Sequence, residues 1–163
     1  MQKLRGVVSV TSGYAGGTTD NPTFYDVARD TTGHAEVVQV AFDPSVLSLE
    51  TLLDVFFATH DPTSVNRQGH DVGSQYRSAV YYKNDAQRTV IEEYIQKLEH
   101  ENVFQKKIVT EVAPLSQFYP AEAYHQNYYN QNKDTNPYCS AVIDPKLAKL
   151  RARFAPFLKE PGA

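Results

Sequence analysis

The chain has 163 residues, which is enough for one domain with a sizeable core, and we expect a single domain over 1–163. Its formal net charge is −3, with 41% hydrophobic and 21% charged residues, so it is typical of a globular protein and lacks the basic surface of a nucleic-acid binder. No apolar run approaches the roughly 20 residues of a membrane span, so we expect no membrane contact.

The cysteine content bears on the compartment in which the protein works. Cys139 is the single cysteine and cannot form an internal disulfide. Disulfides persist in oxidising compartments, and no secretory signal is visible at the start of the sequence. The sequence therefore predicts a reducing, cytoplasmic location.

The first third of the chain predicts two strands separated by a long polar loop. Residues 1–6 have the pattern of a last helical turn, with Gly6 as its stop. Apolar and polar residues alternate over 7–13, and a second β-rich run covers 36–43. The segment between them is rich in Gly, Thr, Asp and Asn, and unstructured loops longer than about 15 residues usually serve a function.

The remaining segments predict a helix, a strand, a helix, a strand and two further helices. The first of these helices follows Ser48, a plausible N-cap, and its apolar residues recur at helical spacing, so we expect them in the core. The later segments cover 76–82, 85–100, 107–112, 119–132 and the basic amphipathic stretch 144–160.

The order of these elements predicts the fold class. Without its C-terminal part the chain follows an α-β-β-α-β order, which is a ferredoxin-like unit without its first strand. We therefore expect an α+β, two-layer ferredoxin-like sandwich that lacks this strand. The first strand of such a sheet is interior, and its loss leaves backbone groups unpaired. We accordingly expect the chain to be a shortened form of a longer protein.

Four polar clusters contain side chains that could bind a metal. Histidines and carboxylates occur at 33–36, 60–62, 67–77 and 121–126, but none has the spacing of a zinc finger or of H-E-x-x-H. We therefore predict no metal and expect His60 and His125 to orient loops through hydrogen bonds. No P-loop or Rossmann fingerprint is present, and no cofactor is predicted. The glycine-rich run 13–17 predicts a tight turn in which the backbone closely approaches another segment.

Three side chains are candidates for acid chemistry. Glu36 opens an apolar strand, where partial burial raises a carboxyl pKa and allows proton donation near neutral pH. Asp71 and Tyr76 lie five residues apart across a turn, from which the phenol reaches the same cavity. The alternatives are a solvated Glu36, an Asx-turn at Asp71 and a structural, half-buried Tyr76.

Taken together, seven blocks of the sequence resemble the A-type peptide methionine sulfoxide reductase family. The similarity runs in register from about Val7 to about Cys139, and NPYCSAVIDPK is similar to one branch of that family. The blocks are GYAGG, NPTF, TGHAE, FFATHDPT, RQGHDVGSQYRSAVYY, IVTEV and FYPAEAYHQNYY.

The resemblance implies reduction of methionine-S-sulfoxide, free or in proteins, as a repair of oxidative damage. In this family a cysteine thiolate attacks the sulfur, the oxygen is protonated, and methionine leaves an enzyme sulfenic acid behind. A second thiol forms a disulfide, which thioredoxin or another thiol reductant reduces. The resemblance makes Glu36, Asp71 and Tyr76 catalytic residues.

The resemblance also implies a substrate-binding group of residues, in which this chain departs from the family. Phe24 stands where the family has a tyrosine, so its ring packs without donating a hydrogen bond, and Tyr25 lies next to it. His125 completes the predicted substrate-binding residues.

The larger departure concerns the nucleophile. The family carries it in Gly-Cys-Phe-Trp-Gly, which these residues do not contain, and no tryptophan occurs in the chain. Cys139 lies where some members carry a recycling cysteine, and we predict that role for it rather than nucleophilic attack. Two other interpretations stay open: a pseudoenzyme or binding module for oxidised methionine, and a ferredoxin-like nucleic-acid binder. The last fits poorly, because the net charge is negative.

The expected truncation gives a first testable prediction. The coding sequence upstream of the Met1 codon should add, in frame, roughly 20 to 30 residues, about one strand and a few helical turns, that include Gly-Cys-Phe-Trp. Sequencing upstream of that codon tests this, and an in-frame extension without the motif would contradict it.

Overall fold

The computed structural model describes residues 4–122. The predicted helix at 144–160, most of the one predicted at 119–132, and the candidate residues His125 and Cys139 lie outside this range. The single domain over 1–163 therefore stays a prediction.

The described residues form three helices, seven strands and one 3₁₀ turn. The longest strand and the longest helix follow their sequence signals closely, and the two shortest strands form a small hairpin in the polar segment between α2 and β5. In chain order the elements are β1 (Val7–Ala15), α1 (Phe24–Ala28), β2 (Ala35–Phe42), α2 (Leu49–Ala58), β3 (Arg67–Gln68), β4 (Asp71–Val72), the 3₁₀ turn (Ser74–Tyr76), β5 (Ala79–Tyr82), α3 (Asp85–His100), β6 (Glu111–Pro114) and β7 (Phe118–Pro120).

The strands belong to three sheets, and together with the helices they confirm the α+β class. The largest sheet has the order β2-β1-β7 and is antiparallel throughout. Strands β3 and β4 form the hairpin, and β5 and β6 form a parallel pair. A parallel pair needs a crossover connection, which α3 supplies here.

Two apolar clusters make the core, and α2 contributes to both. Leu52 and Val55 pack with the residues at the start of β1, whereas Leu53 and Phe57 face α3. The predicted apolar stripe of α2 is thus core-facing. Ser48 is the N-cap, as predicted, because its side chain accepts a hydrogen bond from the Thr51 N–H. Within the described residues no helix combines the length and the apolar character that a membrane crossing requires.

Several local predictions differ from the structure. The strands predicted at 76–82 and 107–112 are instead Ala79–Tyr82 and Glu111–Pro114, and Tyr76 ends a 3₁₀ turn rather than starting a strand. Residues 4–6 form a bridge and a turn rather than a helix, although Gly6 has the left-handed φ of +93° expected of a helix stop. The predicted long loop contains α1, which Thr23 and Asp26 start with a reciprocal capping box. The predicted helix at 119–132 begins instead with strand residues, because β7 pairs with β1.

The glycine-rich run after β1 makes the close approach that the sequence predicts. At Gly17 an added Cβ would lie 2.5 Å from both the Gly33 carbonyl carbon and the Thr32 carbonyl oxygen, so only glycine fits. Gly16 has φ of +87° and leaves no room for a side chain against Tyr81 and Arg77. The run therefore packs onto two other segments through bare backbone.

This packing predicts unequal costs for two glycine substitutions. Gly17→Ala should lower the free energy of unfolding by about 3 kcal/mol or more, because backbone atoms must move to admit the methyl group. Gly69→Ala should cost only about 1–2 kcal/mol, because Gly69 has φ of +58° but open space around it. Urea unfolding measures both, and equal losses would contradict the close approach.

Candidate active site

Glu36 lies at the entrance of β2, where the largest sheet meets the glycine-rich run. It pairs with Tyr14 of β1 in the antiparallel register and follows Ala35, whose side chain is fully buried. The residue is exposed at the surface, yet the surrounding protein removes part of the hydration of its carboxyl. This desolvation, with a smaller contribution from the charge of Asp71, raises the pKa of Glu36 from 4.5 to about 6.

Tyr76 ends the 3₁₀ turn and faces the same two carboxyl groups. Its pKa is raised by desolvation first, then by the charges of Glu36 and Asp71, while a hydrogen bond from the Gln75 side chain acts in the opposite direction. The charges of Glu36 and Asp71 thus both act on Tyr76, and the charge of Asp71 also acts on Glu36. The structure brings together Glu36, Asp71 and Tyr76, which we call the acid trio.

The hairpin of β3 and β4 carries Asp71 to this position. Asp71 pairs with Gln68, and Gly69 in the tip has the left-handed φ that a tight turn requires. The Gln68 amide anchors the hairpin to Asp61: its Oε1 accepts from the Asp61 N–H at 3.0 Å, and its Nε2 donates to the Asp61 carbonyl at 2.7 Å. The polar segment 67–77 is therefore an ordered support and not a solvated turn.

Arg77 locks the C-terminal side of the 3₁₀ turn. Its guanidinium donates from Nη1 to the Ser74 carbonyl at 2.8 Å and from Nε to Glu111 at 2.9 Å. Tyr81 donates to the same Glu111 oxygen at 2.7 Å. Although burial alone would raise the pKa of Glu111, the hydrogen bonds from Tyr81 and Arg77 hold it below its usual value. This pair of hydrogen bonds ties β5 to β6 beside the acid trio.

His34 is almost completely buried, with 2% of its surface exposed, and it fixes the glycine-rich run against β2. Its Nδ1 accepts from the Gly17 N–H at 3.0 Å. Its Nε2 lies 2.7 Å from the Thr19 carbonyl, so the proton is on Nε2 and is donated there. The ring also makes an edge contact with Tyr119 of β7.

The predicted substrate-binding residues lie on the short helix α1. Phe24 is half-buried, and its backbone N–H donates to both carboxylate oxygens of Glu122, at 3.2 and 3.3 Å. Tyr25 is 65% exposed and meets Phe24 edge to face. Phe24 is therefore held in place by Glu122, whereas Tyr25 presents its ring to solvent.

His60 orients the end of α2, as predicted. Its ring bonds the Phe56 carbonyl through Nδ1 and the Ser78 hydroxyl through Nε2, the latter at 2.7 Å. Ser78 in turn lies 2.7 Å from the Thr110 hydroxyl, so one chain of hydrogen bonds joins α2, β5 and the approach to β6. Between residues 4 and 122 no group of three His, Cys, Asp or Glu side chains is placed to hold a metal ion.

Comparison with known proteins identifies the family. The sequence profile of the peptide methionine sulfoxide reductases matches residues 1–157. The chain belongs to the peptide methionine sulfoxide reductase family. The resemblance predicted from the seven blocks is therefore confirmed.

Individual family members agree with this assignment. The peptide methionine sulfoxide reductase MsrA of Chromobacterium violaceum is 51% identical over 157 residues, which are 96% of this chain and 89% of that protein. The reduced form of Mxr1 from Saccharomyces cerevisiae has a TM-score of 0.75 at 36% identity, covering 80% of this chain and 75% of that one. Mxr1 in complex with Trx2 has a TM-score of 0.50 at 28% identity, covering 76% and 67%.

The sequence of this reductase family member did not predict which residues support the acid trio. Glu111 belongs to the IVTEV block and Tyr81 to the strand that follows the polar segment, but nothing local links them. Their link is the parallel register, in which Ala79 of β5 pairs with Glu111 of β6. The one sequence signal for this support was the alternation of side chains along a strand, which places Arg77 and Tyr81 on the same side.

The raised pKa of Glu36 predicts how stability changes with pH. The folded state binds this proton more tightly than the unfolded chain does, so ionised Glu36 costs stability above pH 6. Glu36→Gln should therefore be more stable than the wild type above pH 6. The difference should shrink as the pH falls from 6 to 4.5 and vanish below 4.5.

Urea unfolding at several pH values measures this difference. Glu93→Gln, on the exposed surface of α3, controls for the removal of one negative charge. A difference between wild type and Glu36→Gln that is constant from pH 4 to pH 8 would contradict the raised pKa.

Proposed function

We propose that this protein reduces methionine-S-sulfoxide, free or in proteins, to methionine. The observation that supports this most directly is the position of Glu36, whose pKa of about 6 keeps a fraction of it protonated near neutral pH, beside Asp71 and Tyr76. Family membership supplies the reaction class, and the acid trio supplies the groups that the sulfoxide oxygen requires.

In the proposed mechanism the S=O oxygen points at the acid trio. A thiolate attacks the sulfur while Glu36 donates its proton to the oxygen, and Tyr76 donates a hydrogen bond to it. The oxygen gains negative charge as its bond to the methionine sulfur breaks, so donors fixed around it stabilise the transition state more than the ground state. The protonated oxygen released from the methionine sulfur then bonds to the sulfur that attacked, the new bond between the two sulfurs breaks, and methionine leaves with its electron pair. The thiol that attacked has thereby become a sulfenic acid.

The thiol chemistry then returns the site to its starting state. A second thiol condenses with the sulfenic acid, releasing water and forming a disulfide, and a dithiol reductant reduces this disulfide. Cys139 is the one thiol in these 163 residues, and we assign it the recycling role. The attacking thiolate then comes from outside these residues. A thioredoxin is the proposed reductant, by analogy with Mxr1 in complex with Trx2.

The methionine side chain needs an apolar surface next to the acid trio. We assign this role to the α1 aromatics, with Phe24 as the packed ring and Tyr25 as the exposed one, and we assign His125 to the same binding region. The proposed reaction requires reduced thiols, which agrees with the cytoplasmic location that we propose for the protein.

The proposal predicts a rate effect at Glu36. In an assay of methionine sulfoxide with dithiothreitol, which itself provides both thiols, Glu36→Gln should lower kcat about 10²–10⁴-fold and change KM by no more than about threefold. The reason is that Gln keeps the size and polarity of the side chain but has no proton to give. Rates follow from methionine released over time.

Two controls make the assay decisive. The R epimer of the sulfoxide reports the stereochemical preference, and a reaction without protein gives the background rate. Turnover by Glu36→Gln equal to the wild type would remove Glu36 from the mechanism. Binding of the sulfoxide without any protein-dependent turnover would favour the binding-only alternative, which the relatives do not support.

A further inference from the structure

The 3₁₀ turn that carries Tyr76 has no cap of its own. Gly73 occupies the cap position, and it has no side chain to accept from the first N–H groups of the turn. Asp30, 44 residues earlier in the chain, fills this role: its Oδ2 accepts from the Ser74 N–H at 3.2 Å, and its Oδ1 accepts from the Ser74 hydroxyl. The N–H and the hydroxyl of Ser74 therefore both donate to the carboxylate of Asp30.

Asp30 is suited to this contact in both backbone and charge. Its φ of +57° lies in the left-handed region, which Gly, Asn and Asp tolerate best. The two hydrogen bonds from Ser74 hold its pKa below the usual value, so the carboxylate stays charged at neutral pH. Charge-assisted hydrogen bonds of this kind are about twice as strong as neutral ones.

A second contact reinforces the same junction. Gln75 is 4% exposed, and its Nε2 donates to the Ala28 carbonyl at the end of α1, at 3.3 Å. Ala28 and Asp30, at and just after the end of α1, thus hold Ser74 and Gln75, the two residues directly before Tyr76. Because the turn closes through the Tyr76 N–H on the Gly73 carbonyl, a shift of Ser74 moves the phenol with it.

We propose that Asp30 is a positioning residue, which acts through Ser74 to set the Tyr76 phenol against Glu36 and Asp71. It does not touch the substrate. The catalytic purpose of positioning the phenol rests on the proposed function. The position of the phenol does not depend on turnover, and it can be measured through the pKa of Tyr76.

The test compares two substitutions that differ only in the contact. Asp30→Gly removes both acceptors and tolerates the left-handed backbone, while Asp30→Asn removes the charge but keeps one acceptor oxygen and the same backbone preference. The readout is the pKa of Tyr76, measured by NMR pH titration with tyrosine labelled at Cζ and assigned by its loss in Tyr76→Phe.

We expect the Tyr76 pKa to fall toward the ordinary tyrosine value in Asp30→Gly, because the displaced phenol becomes better hydrated and moves away from two negative charges. Asp30→Asn should show a smaller shift, which also reports the effect of charge removal alone. Ser74→Ala, which removes only the hydroxyl donor, should lie between wild type and Asp30→Gly. Identical Tyr76 titrations in Asp30→Gly and Asp30→Asn would overturn the proposal.

A matched control separates positioning from a loss of stability. Asp43 also accepts from the N–H and the hydroxyl of a serine, Ser45, here both at its Oδ1, directly after the end of β2. Asp43→Gly should lower stability in urea but leave the Tyr76 pKa unchanged. An equal Tyr76 shift in Asp43→Gly would mean that Asp30 acts only through general stability, which also overturns the proposal.

Ligand titration distinguishes this proposal from the proposed function. Wild type should bind methionine sulfoxide, and Asp30→Gly should weaken that binding roughly three- to tenfold, the range expected for one or two lost hydrogen bonds. If wild type does not bind the sulfoxide, the proposed function fails, yet the Tyr76 titrations still decide the role of Asp30. Should Asp30→Gly not fold, Asp30→Asn and Ser74→Ala carry the comparison, and no Tyr76 shift in either would reject it.

Discussion

The buried ring of His34 is the constraint on which the site depends. One nitrogen accepts from Gly17 and the other donates to Thr19, so a single imidazole holds the glycine-rich run against the start of β2. Because a buried polar group without partners costs about 1–3 kcal/mol, the position of the run in which both bonds are made is favoured over positions that break either one. That position brings bare backbone at Gly16 against Tyr81 and leaves Glu36 at the sheet entrance.

Local sequence signals predicted the long elements and failed where distant segments pair. α3 was predicted over its full length because its apolar residues share one face. The structure adds Asn84 as its N-cap. α1 was missed because its capping box, Thr23 to Asp26, lies among residues that usually mark loops. The helix predicted at 119–132 overlaps two of the three residues of β7, whose pairing with β1 depends on a contact that no local pattern contains.

The same division holds for the site. The partial burial of Glu36 could be predicted, because this carboxylate stands at the head of an apolar strand. Asp71 and Tyr76 were candidates because they belong to the block RQGHDVGSQYRSAVYY, which resembles the family. The supporting residues Asp30 and Glu111 could not, since each contacts the site through hydrogen bonds that span more than thirty residues. The sequence therefore displays the groups that we propose to act on the substrate more readily than the groups that hold them in place.

The contact between Phe24 and Glu122 has a consequence for biogenesis. It joins residues 98 positions apart, and the neighbouring bond from Tyr119 to Asp20 spans 99. Closing such long loops costs chain entropy before any contact is made, which slows folding. During translation, neither bond can form until residues 119 and 122 have left the ribosome. The backbone of α1 therefore acquires this contact only after β1 and β2 have been synthesised.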